Sequence, residues 1–213
     1  MHLNNRSGSF IYKLVLLTAV LFGIYLSISR GPDYGLHPLY FFTTQSNILV
    51  NLALIYFLLF PRPSRARAIL RGSVMLGIVI TGLIFHLMLV PHYPEYFAAG
   101  VDFRGHLTHT IAPAGYVLDW LLFDQKKQMR FADIRYWIIY PLLYWLFSVV
   151  RGFFSGVYPY FFMDIGELGL GSALLWLLVL CVIFVLFGFL IIGIDNLNWP
   201  AGKRTRGRGD LPA

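Results

Sequence analysis

The stretch from Gly171 to Ile194 reads GSALLWLLVLCVIFVLFGFLIIGI and contains no charged side chain. A helix needs about 20 mostly apolar residues to cross the hydrocarbon core of a bilayer, because each residue rises about 1.5 Å. This stretch is therefore long enough to span a membrane. Five further stretches meet or approach that length, namely Phe10–Ile28, Tyr40–Phe60, Gly72–Val90, Gly105–Phe123 and Ile134–Val150. The sequence predicts an all-α polytopic membrane bundle of six transmembrane helices.

The composition of the whole chain agrees with this fold class. Of its 213 residues, 58% are hydrophobic and 13% are charged, whereas soluble domains average about 45–50% apolar and about 25% charged residues. An ordinary soluble protein and a disordered chain are both excluded. Because the breaks between the spans are short, residues 1–199 are predicted to form a single domain, followed by a basic cytoplasmic tail, 200–213.

The basic residues orient the predicted spans, because short cytoplasmic loops carry an excess of Lys and Arg. All but three of the 17 Lys and Arg residues lie in the N-terminal segment and first span, the second and fourth connections, and the tail. Six spans with both termini in the cytoplasm satisfy this distribution. The same spread of charge argues against a nucleic-acid-binding surface, which needs one basic patch or stripe. Membrane lipids are the expected partners of these residues.

Polar side chains inside membrane spans are costly, so by default they indicate function or a specific buried pair. On the predicted topology they collect at the extracytoplasmic ends of the spans. The fourth span opens with two histidines three residues apart, which places them on one helix face. The predicted polar layer consists of Thr43, His86, His106, His109 and Arg151. Asn47 lies one helical turn after Thr43 on the same span.

Two other features are assigned plainer roles. Asp119 lies about 20 Å further along the fourth span than this layer, and we expect an interfacial ion pair with Lys126, Lys127 or Arg130. Trp120 is predicted to be an interfacial belt residue. The fifth connection, 152–169, is rich in aromatic residues, and we interpret it as a belt segment in preference to a roof over the polar layer.

The first chemistry that fits the polar layer is nucleophilic catalysis. Thr43 would be the nucleophile, and His109 the base that removes its proton. Buried donors such as Gln45 and Asn47 would stabilise the oxyanion of acyl transfer. This chemistry requires no cofactor.

Two alternatives remain open from residue types and spacing. In one, His86, His106 and His109 bind zinc, with Asp102 or a water completing the coordination. In the other, the layer binds a lipid or a solute without breaking a bond, or only joins one helix to the next through hydrogen bonds.

Several segments of the chain together resemble a known family. In order, they are Phe41-Phe42-Thr43-Thr44-Gln45-Ser46-Asn47, His106-x-x-His109-Thr110 with Pro113, Asp119-Trp120-Leu121-Leu122-Phe123, Tyr140-Pro141, and Arg151-Gly152 with Tyr158-Pro159-Tyr160. As a set they resemble the bacterial six-pass Pr-six-Pr membrane proteins over about residues 10–194. That family in turn resembles the eukaryotic androgen-induced membrane proteins.

The resemblance implies an activity and a location. The eukaryotic relatives are threonine hydrolases of fatty acid esters of hydroxy fatty acids, with an intramembrane Thr and His. Thr43 best matches the threonine, with Thr44 beside it as the alternative, and His109 matches the histidine. The implied protein is a lipid-ester hydrolase of the bacterial plasma membrane. We expect Asn47 and the polar-layer residues His86, His106 and Arg151 to bind or orient the substrate.

Overall fold

The computed structural model describes residues 6–31 and 36–197, which fold as helices joined by turns. Six helical stretches follow one another. They are α1 (Arg6–Ser29), α2 (Phe42–Leu59), α3 (Arg65–His92), α4 (103–123), α5 (Phe131–Ser155) and α6 (Ile165–Asn196). Shorter 3₁₀ turns, Pro38–Tyr40 and Phe161–Met163, precede α2 and α6.

Within the described ranges, five helices are long and apolar enough to cross a membrane: α1, α2, α3, α5 and α6. The prediction of an all-helical chain with several candidate membrane spans is therefore confirmed. The predicted fourth span corresponds to α4, which is not among the five; it carries Arg104, His106, His109 and Asp119 among its apolar residues. A π-helix, Leu107–Ile111, separates the α-helical segments Phe103–His106 and Ala112–Phe123. The predicted tail, 200–213, lies outside the described residues.

The outer surface of the helices is unusually apolar. On α6, the side chains of Leu175, Leu178, Val182 and Leu186 are all at least half exposed and follow one another at helical spacing. A continuous apolar face of this kind is typical of contact with a membrane. The interior is packed by large apolar and aromatic side chains, among them Val20, Leu54, Met75, Ile78, Tyr116 and Trp137.

Polar side chains gather at two opposite ends of the bundle. The site end holds Thr43 in the first turn of α2 and His109 in α4. The basic end holds the beginnings of α1 and α3, where Lys13 and Arg71 contact α4. Phe57, whose ring packs against Arg71, lies 14 residues after Thr43 on α2. A rise of about 1.5 Å per residue therefore separates the two ends by about 21 Å.

The structure corrects the expectations for Asp119 and Trp120. Asp119 is fully buried, and its two carboxylate oxygens pair with Lys13 Nζ at 2.7 Å and Arg71 Nη2 at 2.6 Å. The predicted pairing with the fourth connection is wrong, because the face of α4 that carries Asp119 is turned toward α1 and α3. Trp120 is 2% exposed, so it belongs to the interior and not to an interfacial belt.

Candidate active site

A threonine and a histidine meet at the site end. Oγ1 of Thr43 lies 3.1 Å from Nε2 of His109. Thr43 belongs to the first turn of α2, and His109 is the central residue of the π-helix in α4. Thr44, which carries the alternative hydroxyl, is the next residue and is 5% exposed. The hydroxyl that contacts the imidazole is that of Thr43.

Hydrogen bonds on the far side of the imidazole determine its tautomer. Nδ1 of His109 lies 3.1 Å from the carbonyl oxygen of Gly105, which only accepts. It also lies 3.0 Å from Oγ1 of Thr108, whose own proton is donated to the carbonyl of Arg104. Nδ1 must therefore carry the proton, which leaves Nε2 as an acceptor. The Thr43 hydroxyl donates to Nε2, and this is the arrangement that a general base requires.

Packing from α3 holds the imidazole in place. The ring of Phe85 stacks on that of His109, with centroids 3.7 Å apart and planes inclined by 16°. Phe85 itself begins a second π-helix, Phe85–Leu89, so two π-helical turns face each other. In α4 the next turn contains Pro113, which has no N–H to donate to the carbonyl of His109 and so favours the wider turn. π-helical turns of this kind are frequent at functional sites.

Asn47 connects the two halves of the pair. Its side-chain Nδ2 donates to the backbone carbonyl of Thr43 at 2.8 Å and to that of Thr108 at 3.1 Å. Asn47 is fully buried. A single amide thus links the first turn of α2 to the π-helix of α4. The residue therefore joins the backbone that carries Thr43 to the π-helix that carries His109.

The fifth connection carries both exposed and buried side chains: Phe153 and Phe154 are 72% and 82% exposed, whereas Phe162 and Met163 are 2% and 4% exposed. Tyr160 is partly buried, and its phenol lies beside the hydroxyl of Thr43; both residues line the same cavity. Burial raises the pKa of Tyr160, and the polar groups of Thr43, Phe42 and Tyr144 around the phenol oppose that rise without cancelling it. The phenol therefore stays protonated at neutral pH and can donate a hydrogen bond.

Thr43 lines an apolar cavity. The space open to the centre of a water molecule is about 80 Å³. The walls come from α2, α3, α5, α6 and the turn before α6, and few of their side chains are polar. Leu142, on one wall, is 38% exposed on the outside of α5, so the cavity lies just beneath the outer surface. Its lining includes Phe42, Thr43, Ile84, Leu142, Trp145, Tyr160, Phe162, Leu180 and Phe184.

Other members of the predicted layer lie away from the pair. His86 is exposed, and its Nε2 lies 2.9 Å from Oγ1 of Thr110. His106 is also exposed. Arg151 donates to the carbonyl of Val157 at 3.2 Å and lies over the ring of Tyr40. The structure does not bring these three side chains onto Thr43 or His109.

The arrangement required for a metal site is also missing from the part of the chain that the structure describes. There, no three His, Cys, Asp or Glu side chains form a group that could hold a metal ion. The carboxylate of Asp102 instead accepts from the backbone N–H of Gly105 and pairs with Arg30. The side chain of Gln45 donates to the carbonyl of Leu39 and so is turned away from Thr43.

Sequence reasoning missed two residues of the site. The role of Phe85 depends on α3 packing against α4, and that of Tyr160 depends on the fifth connection folding back onto α2. Nothing in the local sequence distinguishes Phe85 from the many other aromatic residues of the chain, whereas Tyr160 belongs to the Tyr158-Pro159-Tyr160 segment of the resemblance, which gave it no role. Comparisons with family models, with curated proteins and with solved structures found no match to this chain.

Proposed function

We propose that this protein is a membrane-embedded hydrolase that cleaves carboxylic esters of lipids with Thr43 as nucleophile and His109 as general base. The observation that carries the proposal is the hydrogen bond of 3.1 Å from Thr43 Oγ1 to His109 Nε2, with Nδ1 held by the carbonyl of Gly105. A hydroxyl is a weak nucleophile unless an adjacent base takes its proton. The resemblance described above implies the same two residues.

The proposed reaction proceeds through an acyl-threonine. Oγ1 of Thr43 attacks the ester carbonyl carbon as its proton passes to Nε2 of His109. The tetrahedral intermediate expels the alcohol, which receives that proton from the imidazole. A water molecule then gives a proton to His109 and attacks the acyl-threonine. The intermediate collapses to the carboxylic acid, and the proton returns to Thr43.

Tyr160 is the proposed donor to the oxyanion. Its protonated phenol lies beside the Thr43 hydroxyl, where the carbonyl oxygen of a bound ester would become negatively charged. A donor already aimed at the developing charge lowers the barrier, because it requires no reorganisation during the reaction. Phe42 N–H is already bound to the hydroxyl of Tyr144 at 3.0 Å, so the phenol is the donor we assign.

The cavity supports a lipid as substrate. Its walls are almost entirely apolar and include Thr43, so the side chains around the proposed nucleophile suit a hydrocarbon chain. The wall at Leu142 lies near the lipid-facing outside of α5. We propose that the ester enters sideways from the outer leaflet of the membrane.

We propose six membrane crossings, with α4 as the sixth membrane-spanning helix and both termini in the cytoplasm of a bacterial cell. The exposed apolar faces and the position of the basic end support this topology. Fusion of green fluorescent protein or alkaline phosphatase to the C-terminus tests it. We expect the green fluorescent protein fusion to fluoresce and the alkaline phosphatase fusion to be inactive. An active phosphatase fusion would contradict the topology.

The catalytic proposal is tested with a fluorophosphonate probe, which requires no knowledge of the substrate. Attack by Thr43 forms an oxygen–phosphorus bond and releases fluoride, with the proton taken by His109. We expect wild-type protein to be labelled at Thr43, with loss of labelling in Thr43→Ala and in His109→Ala. Peptide mass spectrometry locates the label.

Two controls match these variants. Thr18→Ala removes a hydroxyl that only donates to the carbonyl of Leu14 on the outside of α1, and it should label as wild type does. Thr44→Ala should also retain labelling. Loss of labelling in Thr44→Ala together with retention in Thr43→Ala would move the nucleophile by one residue.

Lipid binding without hydrolysis is the second candidate, because the apolar cavity suits a bound chain whether or not Thr43 reacts. Absence of labelling in folded wild-type protein would favour this candidate.

A further inference from the structure

A second cavity, larger than the apolar cavity lined by Thr43, lies at the basic end. It has a volume of about 820 Å³, within the range of ligand-binding cavities. Its walls are the beginning of α1, the connection from α2 to α3, the first turns of α3, and the segment after α4. It is about 21 Å from Thr43 along the bundle and shares no lining residue with the apolar cavity.

The cavity carries an excess of positive charge. One carboxylate, that of Asp124, is on its wall, and a second, that of Asp119, lies behind it. Burial by itself would raise the pKa of Asp124. Arg71 and Arg67 lower this pKa by more than burial raises it, so the carboxylate is ionised at neutral pH. The basic residues that line the cavity are Arg6, Lys13, Arg62, Arg67 and Arg71. These five cations outnumber the two carboxylates by three.

The inner cations are held rigidly. Arg71 is 1% exposed and its guanidinium lies between two rings, 4.2 Å from that of Phe57 and 4.5 Å from that of Tyr116. Its Nε binds Asp124 at 2.7 Å and its Nη2 binds Asp119 at 2.6 Å. Nη1 has no hydrogen-bond partner although it is buried. A buried donor without a partner is costly, and an anionic oxygen would satisfy it.

The outer cations face the same space. Arg67 binds Asp124 at 3.2 Å, and the exposed residues Arg6 and Arg62 form no ion pair with any residue the structure describes. Arginine is suited to phosphate, because its planar group offers several donors in a fixed geometry. The space beyond the guanidinium groups is large enough for the organic part of a phosphate ester.

We infer that this cavity is a binding site for a phosphate-bearing anion, held by Arg62, Arg67 and Arg71. The phosphate belongs either to the headgroup of a phospholipid in the adjacent leaflet or to a soluble phosphate compound, since both present the same oxygens. The site is separate from the Thr43 site and does not depend on the hydrolase proposal.

The test uses the full-length protein, purified in a neutral detergent and stripped of lipid. One arm titrates inorganic phosphate at constant ionic strength by calorimetry. The other measures retention of phosphatidic acid by native mass spectrometry, with diacylglycerol as the lipid without phosphate. We expect saturable binding in at least one arm, and the arm that binds identifies the source of the phosphate.

Variants separate a specific site from general attraction of anions to basic charge. Arg62→Gln and Arg67→Gln should each weaken binding by about tenfold or more, which is the loss of one charged hydrogen bond. Arg135→Gln removes the same charge near the same end, but Arg135 does not line the cavity and its guanidinium donates to Tyr136. This control should bind as wild type does.

Three outcomes would overturn the inference. These are no saturable binding in either arm, equal weakening by Arg135→Gln, and equal retention of diacylglycerol and phosphatidic acid together with no saturable binding of inorganic phosphate. If folded Arg62→Gln and folded Arg67→Gln both bind as wild type does, the assignment of Arg62 and Arg67 as residues that hold the anion would be contradicted. Thr43→Ala should bind phosphate normally, so failure of the hydrolase proposal and failure of this one are distinguishable.

Discussion

Gly82 of α3 lies directly against the carbonyl oxygen of His109 in α4. A Cβ atom at position 82 would stand 2.7 Å from that oxygen and 3.1 Å from Cγ of Pro113. Both distances are shorter than ordinary van der Waals contact. The close approach of the two helices brings the imidazole against Phe85 and directs it at Thr43, so the absence of a side chain at Gly82 is a condition of the site.

Gly82→Ala should therefore impair the site although it changes no functional group. The methyl group would push α4 away from α3 and lengthen the contact between Thr43 and His109. We expect labelling by the fluorophosphonate to slow by tenfold or more, because small displacements of reacting groups are costly. Gly77→Ala is the matched control, since its nearest neighbours would be 3.9 Å away. Equal slowing in both variants would contradict the argument.

Phe85→Leu should reduce reactivity through the orientation of His109. The leucine keeps the position apolar but removes the ring that stacks on the imidazole at 3.7 Å. We expect the second-order labelling rate to fall by about tenfold in protein that remains folded, with some loss of thermal stability because Phe85 is buried. Phe22→Leu on the outside of α1 is the control, because that ring is 47% exposed. An unchanged rate in Phe85→Leu would show that stacking does not orient the base.

Tyr160→Phe should lower reactivity by about 100-fold, since loss of one oxyanion donor typically costs that much. The ring and its packing remain, and only the hydroxyl beside Thr43 is lost. Once a substrate is known, kcat should fall while KM changes little. Tyr158→Phe, in the same connection but with its ring against Gly152, should behave as wild type does.

Asp119→Asn should destabilise the fold more than it affects the site. The change leaves Lys13 and Arg71 in the interior without their shared carboxylate. Removing one partner of a buried ion pair costs about 3–5 kcal/mol in the free energy of unfolding. Unfolding in denaturing detergent measures this, with the exposed Glu167→Gln as control. A shift below about 1 kcal/mol would contradict the assignment of a buried network.

Lys126 provides a prediction of pH dependence. Burial is the main reason that its pKa is lowered to about 8, with Arg71 adding to the effect against Asp124 and Asp195. A lowered pKa means that the amine loses its proton at a lower pH, so at pH 8.5 most of it is neutral and nucleophilic. Competitive acylation at that pH, read by mass spectrometry, should modify Lys126 before the exposed Lys127. Below about pH 7 the reaction should be slower but keep its preference, which should disappear as the pH approaches about 10.4, where an ordinary lysine amine also loses its proton.

Much of the site was predictable from the sequence, but its contacts were not. The polar layer and the resemblance both select Thr43 and His109 without showing that they touch. The contact depends on the rotation of α2 and on the π-helix in α4, which turns His109 toward α2. His106 illustrates the limit, since its spacing from His109 suggested a shared face, yet its side chain is exposed.

The apolar length of each span and the positions of the charges are local properties, and the sequence alone determined them for this protein. Hydropathy acts on each segment separately, so helices at these positions follow from about 20 apolar residues in a row. Partnerships are not local. Asp119 pairs with Lys13 and Arg71, which are 106 and 48 residues away, and Tyr160 reaches Thr43 from another connection. Only the tertiary structure decided these, because the partner of a buried polar group is set by which helix faces meet.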